Sequence, residues 1–216
     1  MQDQLPSGVI AAVWLIVSSF VSPAQTSKFG PNDVLVDVLV WGADARIDAS
    51  SYSPDVKAAL DKHFQRSERY RSKRARPANS SELDMIYAAQ VRYEGRLVAN
   101  SDDARVQALA VEYVDRLRPC YEWEGYHDCP EREAVFAREY QAAHPRGPFS
   151  DYLPLLEAHR WLCTAEGYEY ENRPEDAARS RRAYEQAIST ARRSTSVLVR
   201  TAAEALTTRG RCHSSR

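Results

Sequence analysis

The sequence predicts an all-α fold, and three observations support this. Only 8 of the 216 residues are glycine. No Asn-Gly or Asp-Gly pair, the usual mark of a tight β-hairpin, occurs. In most segments apolar residues recur every three or four positions, the period of a helix that buries one face. We therefore expect packed antiparallel helical hairpins, as an irregular bundle or a repeat array.

The first half of the chain contains four predicted helices. The Val-rich segment PNDVLVDVLVW, residues 31–41, could be a strand or a buried helix, and we predict a helix because no partner strand is visible. The next begins after Ser53, with Pro54 at its first position. A third is capped by Ser80 or Ser81. The fourth ends before Pro119 and carries an apolar stripe of Val106, Ala110, Tyr113, Val114 and Leu117.

The second half contains four more. One restarts at Pro130 and breaks at the HPRGPF segment, residues 144–149. The next is capped by Ser150 or Asp151 and is predicted to be buried on two sides. Its two apolar faces are formed by Tyr152, Leu155, Leu156, His159 and Cys163, and by Trp161, Ala165 and Tyr168. Pro174 separates it from a third helix, and Gly210 ends the last one.

Residues 161–190 resemble one tetratricopeptide hairpin. Trp161, Thr164, Ala165 and Tyr168 have the spacing of the W-x2-L-G-x2-Y motif of its first helix. Ser180, Tyr184 and Ala187 match the small, aromatic and small positions of its second helix. The segment between the helices is about three residues too long for the motif, the Leu-Gly pair is replaced by Thr-Ala, and no Pro follows near residue 192. The resemblance implies a helical-repeat scaffold.

Residues 1–24 have the pattern of a secretory signal peptide. An uncharged apolar stretch runs from Val9 to Val21 and is followed by Ser22-Pro23-Ala24, which suits cleavage after Ala24. Against this, the first eight residues contain Asp3 and no basic residue. An uncleaved N-terminal anchor and a buried helix of a cytosolic protein are the alternatives. We expect residues 25–216 to form a single α-helical domain, with a sub-boundary near 72–80 as the alternative, in a periplasmic or secreted protein.

The cysteine count fits export. The four cysteines are Cys120, Cys129, Cys163 and Cys212, an even number that suits an oxidising compartment. Their spacings match no zinc motif, so we expect disulfides and no metal site. The expected pairs are Cys120–Cys129, which closes a short loop, and Cys163–Cys212.

The net charge and the sequence motifs argue against several classes of function. The net charge is −1, so no overall field favours nucleic acid or an anionic membrane. The basic run at residues 66–77 is interpreted as a solvated helix end. No catalytic or phosphate-binding motif occurs, so we assign no catalytic residue and no cofactor. His159 lies on an apolar stripe and is interpreted as a hydrogen-bonded core histidine. Glu166, Glu169 and Glu171 are interpreted as a solvated face or a cluster at the end of a helix.

The segment CYEWEGYHDC, residues 120–129, is the main candidate site. It holds the densest set of ligand-type side chains in the chain. The candidate binding residues are Tyr121, Glu122, Trp123, Glu124, Tyr126, His127 and Asp128. We expect the loop to act mainly as a structural staple, with Trp123 at least half buried and the acids exposed. Glu122, Glu124 and His127 would then remain for recognition.

Two functions are compatible with these patterns. The first is an exported helical interaction or scaffolding module that binds a protein or peptide partner, by analogy with helical-repeat surfaces. The alternative is a periplasmic hydrolase, acting on glycans, that uses Glu122, Glu124 or Asp128 as an acid. We expect no nucleic-acid partner, and no membrane contact beyond an uncleaved anchor.

Overall fold

The computed structural model describes residues 31–42, 47–74, 81–120 and 123–213. These ranges contain eight α-helices, one short 3-10 helix (Ala49–Ser51) and no strand, which confirms the predicted all-α class. The helices are α1 Pro31–Trp41, α2 Pro54–Arg74, α3 Glu82–Ala99, α4 Val106–Leu117, α5 Asp128–Ala143, α6 Leu153–Tyr170, α7 Pro174–Ala191 and α8 Val197–Arg209. The Val-rich segment is therefore helical.

Helices that are adjacent in the sequence pack against each other. The most extensive contacts join α6 to α7 and α5 to α6, and α3 packs on both α2 and α4. The exception is α1, whose main partner is α8, at the other end of the described chain. The Nη1 atom of Arg209 lies 2.9 Å from Oδ1 of Asp37, which ties the end of α8 to α1. This pairing places the C-terminal end of α1 beside α3 and α6.

Local sequence signals set most helix ends. Pro54 opens α2, and the Ser81 side chain caps α3 by accepting a hydrogen bond from the backbone N–H of Asp84. Gly210 ends α8 in the left-handed conformation, with φ of 61°. The predicted cap of α6 is wrong, because Asp151 instead accepts hydrogen bonds from the backbone and hydroxyl of Thr195. The α5–α6 connection is thereby tied to the α7–α8 connection.

The central element of the core is α6. Both predicted apolar faces are buried, together with polar neighbours, so that every residue from Leu153 to Ala165 is inaccessible or nearly so. The residues of α6 and α7 that carry the tetratricopeptide resemblance are also buried. Burial of such positions is expected in any tightly packed helical hairpin.

Two features of the predicted domain organisation fall wholly or partly outside the described residues. The predicted signal peptide, residues 1–24, is one. The other is the sub-boundary near residues 72–80, of which 75–80 are not described. On either side of it, α2 and α3 pack against each other. No helix among the described residues is both long enough and apolar enough to cross a membrane.

Candidate functional site

Two disulfides brace the region around the candidate loop. Cys120 pairs with Cys129, and Cys163 pairs with Cys212, as the sequence predicts. The second bond is fully buried and ties the segment after α8 to the middle of α6. The two disulfides are compatible with an extracellular or periplasmic location.

The loop rests directly on α6. The ring of His127 stacks on Tyr168, with centroids 4.1 Å apart, and its Nδ1 lies 2.6 Å from Oε1 of Glu171. The same carboxylate oxygen accepts the backbone N–H of His127 at 3.2 Å, and these hydrogen bonds lower the pKa of Glu171. Tyr168 donates its hydroxyl to Glu131 on α5 at 2.6 Å, and burial raises the pKa of Tyr168 to about 12.

A cluster of aromatic rings joins the loop to both ends of the described chain. Trp123 stacks on Trp41 of α1 at 5.4 Å, and both rings contact His213, at 4.6 and 5.3 Å respectively. The edge of His159 on α6 meets Trp41 at 5.0 Å. Trp123 also donates its indole N–H to the carbonyl of Tyr126 at 2.8 Å. Trp123 is accordingly more than half buried, as expected.

The structure separates the predicted binding residues into two groups. Glu124 and Asp128 are exposed, as expected for the acids, and Tyr126 is exposed as well. His127 differs from expectation, because its ring is held between Tyr168 and Glu171 and stabilises the loop against α6. Tyr121 and Glu122 lie outside the described residues.

A cleft of about 780 Å³ lies between the loop and helices α3 and α4. Its walls combine apolar, acidic and basic side chains. The lining residues are Ile86, Gln90, Asp115, Arg118, Pro119, Cys120, Trp123, Glu124, Tyr126, Asp128, Cys129 and Arg132. Arg132 already donates to the carbonyl of Arg118 at 3.4 Å, so it also holds the cleft wall in place. The cleft is large enough for several side chains of a partner.

His159 is a hydrogen-bonded core histidine, as predicted. Its Nδ1 accepts a hydrogen bond from Arg160 at 2.7 Å, so Nε2 carries the proton and donates to the carbonyl of Cys212 at 2.9 Å. Burial and the adjacent Arg160 lower the pKa of His159 well below its ordinary value. His159, Cys163 and Cys212 lie close together, but a disulfide consumes both thiols, so this trio is not a metal site.

The three acids near the end of α6 each have a separate partner. Glu169 pairs with Arg181 at 2.7 Å and Glu171 with His127. Glu166 is half buried and accepts the backbone N–H of Cys212 at 2.8 Å, and burial raises its pKa. A solvated face is therefore wrong for Glu166, which holds the segment after α8, and for Glu171, whose side chain is only 20% exposed.

Sequence reasoning missed a buried polar group beside the aromatic cluster. Arg160 of α6 pairs with Glu133 of α5 at 2.6 Å, and its guanidinium lies 4.2 Å from the ring centre of Trp41. Arg96 of α3 is also buried. The sequence did indicate that Arg160 is buried and paired, because a charged residue in a helix that is apolar on two sides must be buried with a partner.

The chain matches no protein-family model, no curated protein and no solved structure, so the case for its function rests on its own residues.

Proposed function

We propose that this chain is an exported helical module that binds a protein or peptide segment in the cleft beside the Cys120–Cys129 loop. The observation that carries the proposal is the cleft itself, about 780 Å³ of open volume with Trp123 and Tyr126 on its loop side. Aromatic side chains on a firmly held surface are typical anchors of protein interfaces. The acids Asp115, Glu124 and Asp128 would supply hydrogen-bond acceptors around them.

The contacts that hold the loop in place support this proposal. A disulfide closes the loop, the Trp123 ring packs against Trp41 and His213, and the His127 ring packs against Tyr168. Such a surface loses little conformational freedom when it binds. Most of the interaction free energy is then retained as affinity.

The hydrolase alternative has less support from the geometry. A carboxyl group that donates a proton at neutral pH is usually held in a water-poor pocket. Glu124 and Asp128, the described acids of the loop, are exposed, and so is Asp115 across the cleft. The arrangement favours recognition over acid catalysis.

We also propose tetratricopeptide-like packing for α6 and α7, and a periplasmic or secreted location. The packing proposal rests on burial of the seven residues that carry the resemblance. The location proposal rests on the two disulfides and on the apolar segment from Val9 to Val21. N-terminal sequencing of the protein from its native host tests the location, and a chain that begins at Gln25 is expected.

A peptide selection tests the binding function. Random peptides displayed on phage are selected on the oxidised protein, and their affinities are then measured for an Ile86→Ser/Tyr126→Ala variant. We expect at least a roughly tenfold loss, since two apolar anchors are removed. The control is Arg182→Ala, an exposed position on α7 away from the cleft.

Two outcomes would contradict the binding function. One is a selection that enriches no peptide. The other is a set of peptides that bind the double variant as tightly as they bind the unchanged protein.

A further inference from the structure

A second pocket, of about 400 Å³, adjoins the cleft. It shares Pro119, Cys120 and Trp123 with the cleft, so the two volumes adjoin the same chain segment. Its inner wall is polar and is formed by Tyr93 and Arg96 of α3, Glu133 of α5 and Arg160 of α6. Trp41 and Trp123 provide aromatic walls, and Arg92 is exposed on α3.

The charges of this pocket do not balance. Among the described residues that line it, three arginines stand against one glutamate, which leaves a net of two positive charges. Glu133 neutralises Arg160, since the two side chains are 2.6 Å apart and both are buried. Arg96, only 5% exposed, has no acidic partner in the described ranges. A buried cation without a counter-charge is costly.

The protein satisfies Arg96 only in part. Its Nη1 donates to the carbonyl of Val40, and its guanidinium carbon lies 4.0 Å from the ring centre of Tyr93. Its buried Nε has no hydrogen-bond partner within the described part of the chain. One cationic donor beside the pocket thus remains unpaired by described residues.

The end of α1 is shaped to keep Arg96 in this position. Gly42 has φ of 65°, and a Cβ atom added there would lie 3.2 Å from Cγ and Cδ of Arg96. A side chain at residue 42 would therefore be strained by its backbone and would also press on the arginine. The chain approaches Arg96 closely because residue 42 is glycine.

We infer that this pocket binds a carboxylate group, supplied by the acidic side chain or C-terminus of the peptide that occupies the adjoining cleft. Arg96, a buried arginine that no described acid neutralises, matches a singly charged anion, and an arginine fork matches the planar carboxylate. Arg92 adds attraction for an anion. The assignment of the peptide as the source rests on the proposed function, whereas the carboxylate chemistry does not.

Benzoate and its neutral counterpart benzamide test the chemistry. The indole N–H signals of Trp41 and Trp123 are followed by NMR in the oxidised full chain. We expect saturable shifts with benzoate, with a dissociation constant in the roughly millimolar range for so small a ligand, and none with benzamide. Arg92→Gln should weaken benzoate binding about tenfold, while Arg182→Gln, at an exposed position on α7, should not weaken it.

The peptides selected for the cleft test the source of the carboxylate. Each is compared with a version whose acidic side chains and C-terminus are converted to amides. We expect the neutral version to bind the unchanged protein about tenfold more weakly, and a much smaller difference on Arg92→Gln. Selected peptides should also displace benzoate.

The possible failures are distinguishable. The inference is overturned if benzamide binds as tightly as benzoate, or if benzoate shifts neither indole signal. Either result overturns it even if peptide binding still depends on Ile86 and Tyr126. Benzoate binding that no selected peptide displaces assigns the pocket to a free organic acid and overturns the peptide as its source.

Discussion

Gly167 of α6 and His127 of the disulfide-closed loop are in direct backbone contact. A Cβ atom added to Gly167 would lie 2.6 Å from the backbone nitrogen of His127. The loop therefore approaches α6 more closely than any side chain at residue 167 would allow. The contact also brings the His127 N–H within reach of Glu171, the residue directly after α6.

Replacing Gly167 with Ala should therefore destabilise the protein although Ala favours helices. The neighbouring atoms are backbone and cannot swing away, so we expect a loss of about 1–3 kcal/mol in the free energy of unfolding, measured with urea. The control is Gly95→Ala in α3, where the added Cβ would meet the flexible side chain of Arg71 at 3.3 Å. That change should be near neutral or stabilise by up to about 1 kcal/mol. Equal effects of the two changes would contradict the close contact.

Trp123→Ala should remove a ring that packs against both ends of the described chain. We expect a loss of about 2–3 kcal/mol, because Trp123 is more than half buried against Trp41 and His213. Leu83→Ala is the comparison, since Leu83 is 78% exposed and its loss should change stability by less than about 0.5 kcal/mol. A Trp123→Ala protein that melts like the unchanged protein would show that the cluster does not hold the loop.

The two disulfides should contribute unequally to stability. Cys163 and Cys212 are separated by 49 positions, and Cys120 and Cys129 by 9. Closing the longer loop restricts the unfolded chain more, by about 4 kcal/mol against about 2.5 kcal/mol. Paired Cys→Ala variants of each bond, compared by urea unfolding, measure the difference. A larger loss from removing Cys120–Cys129 would argue against this order.

His63 of α2 should make stability fall in mild acid. Burial lowers the pKa of His63 from 6.5 to about 4, so the folded protein keeps it neutral while the unfolded chain protonates it. The contribution of neutral His63 to the free energy of unfolding is therefore fully present above pH 6.5 and is lost as the pH falls to about 4. Between pH 7 and about pH 4.5 the unchanged protein should lose about 2 kcal/mol more than His63→Asn.

The matched control for this titration is His144→Asn, since His144 is exposed. This variant should follow the pH dependence of the unchanged protein. A His63→Asn protein with that same dependence would show that His63 is protonated in the fold.

Most of the fold follows from local sequence. The stripe from Val106 to Leu117 is buried as predicted, and Pro54, Ser81 and Gly210 mark helix ends where they were expected. These signals act within one or two helical turns, so the sequence alone contains them. The Val-rich α1 was harder to predict as a helix, because its buried residues follow no single stripe. Its helical form depends on packing between distant segments.

The site was only partly predictable. The loop, its disulfide and the burial of Trp123 follow from two cysteines, two prolines and a cluster of aromatic residues. The positions of His127 and Asp151 do not, since their partners Glu171 and Thr195 are 44 residues away in sequence. Arg96 was missed for a different reason, because a helical arginine is ordinarily solvated.

The packing of α1 on α8 has a consequence for how the chain is made. A ribosome synthesises α1 first and α8 last of the described helices, yet Leu35, Val36, Leu39 and Val40 are buried in the completed core. Until α8 has emerged, the nascent chain therefore presents an apolar helix without its main partner. Apolar surface exposed in this way promotes aggregation, and the completion of α8 covers it.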